Sequence, residues 1–142
     1  LMAEMCGEVA DGLLAHAFTT RRYLDEVTTP ALRRGMRRSG RDRRELEVSC
    51  PVFLVTGADE SEMAAASAVI RKQLAFYGST PAYRPVLDLH DRGHLHDELR
   101  IRAREDEWES MAELIDDEFL EEVAVVGEPD AIAPSSSEDS SC

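Results

Sequence analysis

The sequence predicts an α/β fold: parallel strands joined by crossover helices, in a sheet that needs more strands than this chain supplies. Three observations predict it. Short, nearly continuous apolar runs at 13–18 (LLAHAF), 48–55 (VSCPVFLV) and 122–126 (EVAVV) read as strands covered on both faces. Amphipathic helical segments stand between them, and a strand–helix–strand return makes the strands parallel, with a right-handed crossover almost without exception. Each run also ends on polar or glycine residues suited to opening a helix: Thr19-Thr20, Thr56-Gly57 and Gly127.

The elements follow in order. Residues 2–10 (MAEMCGEVA) fit the last turns of a helix, and Asp11-Gly12 ends it, glycine suiting the positive φ of a helix stop. Residues 13–18 form the first strand, after which Thr19 and Thr20 offer N-cap oxygens. Between Arg21 and Arg38, apolar residues recur at spacings of three and four: Tyr23, Leu24, Val27, Ala31, Leu32 and Met36. They draw one stripe on a charged helix. Pro30 inside this run marks a new first turn after Thr28-Thr29, and Ser39-Gly40 closes the element.

Glu45 to Thr56 is the clearest strand. Val48, Cys50, Val52 and Leu54 alternate on one face, with Phe53 and Val55 on the other. Pro51 cannot donate to a ladder, which calls for a bulge or a locally unpaired position. Asp59, with Glu62 three residues on, is a capping-box signal. The helix it opens runs to about Tyr77, with Met63, Ala66, Ile70, Leu74 and Tyr77 inward and Gly78 as its stop. From Pro81 to about Phe119 the pattern is helical but broken at Gly93. Inner positions there are Leu95, Leu99, Trp108, Met111, Ala112, Ile115 and Phe119. The last strand leads through Gly127 to a helix start at Pro129, with acids at the positive helix end.

Three parallel strands leave two open edges, and a sheet of this kind closes with eight. The fold class is therefore an incomplete (β/α)8 TIM barrel over residues 1–133, followed by a polar tail at 134–142.

Composition narrows the function. The chain of 142 residues, 43% apolar and 32% charged, suits one soluble domain with a core. No apolar run approaches the roughly 20 residues needed to span a bilayer. Glu4 and Glu8 near a start without basic residues are unlike a secretory signal, so a cytoplasmic location is expected. A net charge of −13 argues against nucleic acid as a partner. The basic run (Arg33, Arg34, Arg37, Arg38, Arg41, Arg43 and Arg44) reads as a solvated helix face, with a phosphate or partner patch as its alternative. Cys6, Cys50 and Cys142 are widely spaced, as free thiols are, rather than paired or metal-binding.

Four stretches carry a resemblance: MAEMCGEVADGLLAHAF (2–18), TTPALRRGMRRSGRD (28–42), VSCPVFLVTG (48–57) and VVGEPDAIA (125–133). Together they resemble the C-terminal half of the bacterial luciferase-like oxidoreductases, and within them the deazaflavin (coenzyme F420) branch. The resemblance implies hydride transfer between an organic small-molecule substrate and coenzyme F420, with FMN as the alternative cofactor. It places the active site at the C-terminal ends of the strands. His16, Phe18, Thr19 and Thr56 then line the substrate pocket. Met2 falls where a small apolar residue lines the cofactor ring.

In relatives a Gly-Pro pair that helps bind the cofactor phosphate stands just before the position of Leu1. They also continue past the position of Ala133 with an amphipathic helix, where this chain has SSSEDSSC. A truncated start is the expectation, with weak cofactor binding by the chain alone. The protein partners expected are a second copy or the missing N-terminal half. No catalytic residue is assigned, because the residues that serve proton transfer in the first barrel half have no counterpart here.

His16 is either a core histidine satisfied within its strand or a residue facing substrate, its near-neutral pKa suiting acid–base work. His90, Asp91, His94, His96 and Asp97 crowd together, with His90 and His94 at the i, i+4 spacing that zinc sites use. Gly93 between them and the missing third ligand favour a loop or helix cap instead. Gly127 could receive a phosphate at the helix start, but Glu128 and Asp130 favour plain capping. A non-catalytic acidic module that pairs through open sheet edges remains the alternative to an enzyme.

Overall fold

The computed structural model describes residues 2–132. It divides into two compact units, Leu1–Pro51 and Val52–Cys142.

The first unit runs α1 (Met2–Val9), β1 (Gly12–Leu14), α2 (Arg21–Tyr23), a π-helical segment (Leu24–Thr28), α3 (Thr29–Ser39), a 3-10 turn (Arg43–Glu45) and β2 (Glu47–Ser49). β1 and β2 are parallel, with Gly12 opposite Glu47, Leu13 opposite Val48 and Leu14 opposite Ser49. The helix after β1 starts where a cap is available: the Thr20 hydroxyl accepts from the Tyr23 amide at 3.1 Å.

Pro30 does not start a new helix. Thr28 and Thr29 are both helical, and the turn in front of the proline widens, so that Thr29 donates five residues back to Leu24. A π turn is how a continuous helix absorbs a residue without an N–H. The helix ends as expected, with Gly40 at φ 72° in the left-handed region. Gly12, by contrast, has no positive φ and is the first residue of β1.

Two glycines let α1 and α3 touch backbone to backbone. A Cβ on Gly7 would lie 2.2 Å from the Leu32 carbonyl oxygen, and one on Gly35 would lie 1.9 Å from that of Glu4. Beside this contact Leu32, Met36 and Leu46 form the core, packed by Ala3, Cys6 and Leu13. Outside it, Arg38 pairs with Glu4 and Glu8, and Arg41 donates to the Ala10 carbonyl at 2.6 Å. Arg38 and Arg41 of the basic run thus tie α3 and the turn after it to α1 and the residue that follows it.

The second unit runs β3 (Phe53–Val55), α4 (Glu60–Gly78), a 3-10 turn (Pro81–Tyr83), α5 (Arg84–Leu89), α6 (Gly93–Arg104), α7 (Trp108–Met111), a 3-10 turn (Ala112–Leu114), α8 (Asp117–Val123), β4 (Ala124–Val126) and α9 (Pro129–Ile132). β3 and β4 are parallel, with Leu54 opposite Val125. α4 starts at Asp59, whose carboxylate accepts from the Glu62 amide at 2.9 Å. Leu74, Leu87, Leu99, Met111, Ile115 and Phe119 are among the most buried side chains of this unit. Trp108, expected inward, is 45% exposed. The helix breaks just before it, at Asp106 with φ 58°, so Trp108 opens α7 instead of continuing the α6 stripe.

The single strand expected over 45–56 is two strands. Cys50, Pro51 and Val52 carry no ladder, and the segments on either side take different partners, β2 with β1 and β3 with β4. Proline without its N–H ends the first pairing, and the register restarts beyond it.

Nor are the strands covered on both faces. Phe53 and Val55 are buried, Phe53 with its ring 6.2 Å from that of Tyr77 on α4. Leu54 between them is 44% exposed, Val125 opposite it 39%, and Leu14 of the first unit 73%. The sheet of the second unit therefore has one apolar face under helices and an open face that carries Leu54 and Val125, while in the first unit the open face sets Leu14 beside Gly12, Glu47 and Ser49. Among the described residues no helix is long and apolar enough to cross a membrane. The tail at 134–142 lies outside the described residues.

Candidate functional site at the strand ends

The residues singled out in the sequence follow the C-terminal ends of the strands, except Met2. In the first unit His16 stands two residues past β1 and is exposed, so it is not a core histidine. Its Nδ1 accepts a hydrogen bond from the Phe18 amide at 3.0 Å. An Nδ1 that accepts leaves the neutral ring's proton on Nε2, which makes Nε2 a donor. Phe18 is 1% exposed and anchors the loop. Thr20 is committed to capping, while Thr19 beside it is half-buried, its amide bonded to Ala17. Met2 lies on the first turn of α1, 81% exposed.

In the second unit Thr56 follows β3 directly. It lies one residue past the ladder and is half-buried. Its Oγ1 is buried and has no hydrogen-bond partner, alone in this among the described residues. Gly57 is buried, and a Cβ there would lie 2.6 Å from the Met63 nitrogen, so the chain turns tightly onto the first turn of α4. At the end of β4 the Gly127 amide donates to the Val55 carbonyl at 3.1 Å. That N–H belongs to the sheet, which leaves the capping reading of Gly127 and removes this donor from any phosphate.

The histidine cluster does not form a metal site. His90 caps α5 with Nδ1 3.2 Å from Glu122, and Asp91 at φ 57° breaks the helix before α6, so His90 and His94 share no helix face. His94 is exposed. His96, read from the sequence as part of a loop or cap, is a core residue at 1% exposure, its Nδ1 2.7 Å from the Gly78 carbonyl. The signal for it was its place next to Leu95 on the Leu95–Leu99 stripe. No group of three metal-ligating side chains occurs among the described residues.

Below the strand ends, Arg92 binds Asp116 at 2.6 Å and Glu118 at 2.7 Å, its guanidinium 5.5 Å over the Phe119 ring. Desolvation would raise the Asp116 carboxyl, but the Phe119 amide and Arg92 outweigh it and hold the group below its ordinary value. Burial pushes the Cys50 thiol up, which disfavours its thiolate.

The family model described as luciferase-like monooxygenase matches residues 1–135. The chain belongs to the luciferase-like monooxygenase family. It is 60% identical over 132 residues to uncharacterised proteins of Mycobacterium tuberculosis and Mycobacterium bovis, an alignment covering 93% of this chain and 39% of each relative. The chain thus spans about two-fifths of the curated relatives it matches. It also superposes on the coenzyme F420 dependent tetrahydromethanopterin reductase of Methanopyrus kandleri with a TM-score of 0.72 at 21% identity. That match covers 94% of this chain and 37% of the reductase, and at such identity it is a likeness of fold. The α/β class with parallel strands, and an incomplete barrel, agree with this luciferase-like neighbour. The family is one of oxidoreductases.

Proposed function

We propose that this chain is the C-terminal segment of a luciferase-like oxidoreductase that transfers hydride between an organic small molecule and coenzyme F420, with FMN as the second reading. The observation that carries the proposal is family membership across residues 1–135, joined to an uncompensated buried hydroxyl at a strand end. The Methanopyrus neighbour's coenzyme favours F420, and the family description leaves FMN in place. The working compartment is the cytoplasm.

Each unit brings its own strand-end residues to the proposal, His16 and Thr19 in the first and Thr56 in the second. His16, Thr19 and Thr56 offer neutral hydrogen-bonding groups, and none of the three is a cation to hold a phosphate. Bound there, the deazaflavin supplies the ring that accepts or delivers the hydride. His16 offers an imidazole whose Nδ1 accepts from the Phe18 amide. Phe18 fixes the loop and keeps water from beneath it. Thr19 and Thr56 orient polar groups of the substrate, and Met2 lines the ring. Completing the site takes a second copy of the chain or the part of the longer relatives that this chain does not span.

The test is a fluorescence titration with oxidised F420 and FMN. The protein is a chimaera in which this chain replaces the matching 132 residues of the M. tuberculosis relative. F420 is expected to bind with micromolar Kd and FMN more weakly. Binding of neither contradicts the proposal.

A further inference from the structure

Phe76 on α4 and Trp108 on α7 are 52% and 45% exposed, and their rings lie 6.2 Å apart. Two aromatic rings paired half in water are what the centre of a protein interface is made of, not a solvated helix face. The charge beside them has one sign along the chain. Glu105, Asp106, Glu107 and Glu109 flank Trp108, and all four are exposed. Asp106 accepts from the indole N–H at 3.3 Å, and Glu109 pairs with Lys72 at 2.6 Å. The Glu105 side chain makes no hydrogen bond or ion pair among the described residues, and that of Glu107 reaches only the Ser110 hydroxyl, at 3.5 Å.

The first unit carries the opposite chemistry. Arg33, Arg34 and Arg37 are exposed on α3. Among the described residues the side chains of Arg33 and Arg37 make no hydrogen bond or ion pair, and Arg34 lies 3.8 Å from Glu4. Arg34, Arg37 and Arg38, with Glu4, line an open depression of about 400 Å³. Asp and Glu outnumber Lys and Arg three to one in residues 52–142, while residues 1–51 hold the two in near balance. Unpaired carboxylate and unpaired guanidinium thus stand on different units.

We infer that the Phe76–Trp108 patch is an interface for a second copy of this chain, seated on that copy's Arg33, Arg34 and Arg37 face. The depression on α3 receives the indole, guanidinium groups lie over its ring, and Glu105 and Glu107 pair with the arginines around it. Opposite charge on the two patches sets the orientation. The contact is heterologous, since each copy offers one patch of each kind, so chains add head to tail. Neither the open sheet faces nor the cofactor takes part.

Sedimentation of the 142-residue chain tests it. The wild type is expected to form dimers and longer species as its concentration rises to about 1 mM, and fewer of them as salt rises from about 0.05 to 0.5 M. Arg33→Glu/Arg37→Glu removes one patch, and Trp108→Ala weakens the other about tenfold or more. Each variant alone is expected to be monomeric. Mixed, they form one-to-one pairs that grow no further, because each keeps the patch that the other has lost. Glu105→Gln/Glu107→Gln, which alters no packed side chain, keeps a weaker association with little salt dependence.

A wild type that stays monomeric at every salt overturns the inference. So does association that survives in Arg33→Glu/Arg37→Glu, or a mixture in which both variants remain monomers. Association that strengthens with salt overturns it as well, and assigns the pairing to the apolar sheet faces.

Discussion

Gly35 shows how much one hydrogen atom in place of a methyl decides. With the Glu4 carbonyl 1.9 Å from where a Cβ would be, Gly35→Ala forces α1 and α3 apart. Overpacking of this kind costs about 1–3 kcal/mol, and urea unfolding of the chain is expected to show a loss at the upper end of that range. Asp116 is the corresponding residue for charge. It caps α8 through the Phe119 amide at 2.7 Å and binds Arg92, so Asp116→Ala is expected to cost about 1 kcal/mol from the cap alone. Its folded-state pKa is lowered, so its stabilisation is complete above the unfolded value and lost as pH falls through the folded one. Melting temperature should therefore drop more steeply for the wild type than for Asp116→Asn below about pH 4, and parallel curves would refute the pairing. Histidines were the least legible residues in the sequence. His16 lies between Ala15 and Ala17 yet is exposed, whereas His96, between Leu95 and Asp97, is in the core. The difference lies in where a strand ends and which helix face turns inward, and neighbours in sequence do not settle that.

Elements were legible where local chemistry decides them. Thr20, Gly40 and Asp59 each act as the cap that residue type predicts, because capping bonds reach only two or three residues along the chain. The stripes of α3 and α4 were readable for the same reason. Two prolines were not. Pro30 was absorbed by a π turn, which no residue type in the segment announces. Pro51 divided a run that reads as one strand, because β2 and β3 bond to different neighbours, and pairing partners lie far away in sequence. The expectation of cover on both faces failed for a third reason. Apolar alternation reports what a strand is suited to bury, whether or not the covering segment belongs to the same chain.

At the scale of the molecule, each unit buries one face of its sheet and leaves Leu14, or Leu54 and Val125, in solvent. Apolar residues on an open sheet face are the natural interior of a barrel closed by further strands. The relatives, of which this chain spans 39%, have the length to supply them. A single cysteine at position 54, with the native cysteines replaced by serine, measures this directly through its rate of reaction with a thiol reagent. Leu54→Cys is expected to react freely in the 142-residue chain and at least about a hundredfold more slowly in the M. tuberculosis chimaera, where the barrel is closed. Equal rates in the two proteins would contradict a barrel interior at this face, and with it the reading of the chain as part of a luciferase-like enzyme's closed barrel.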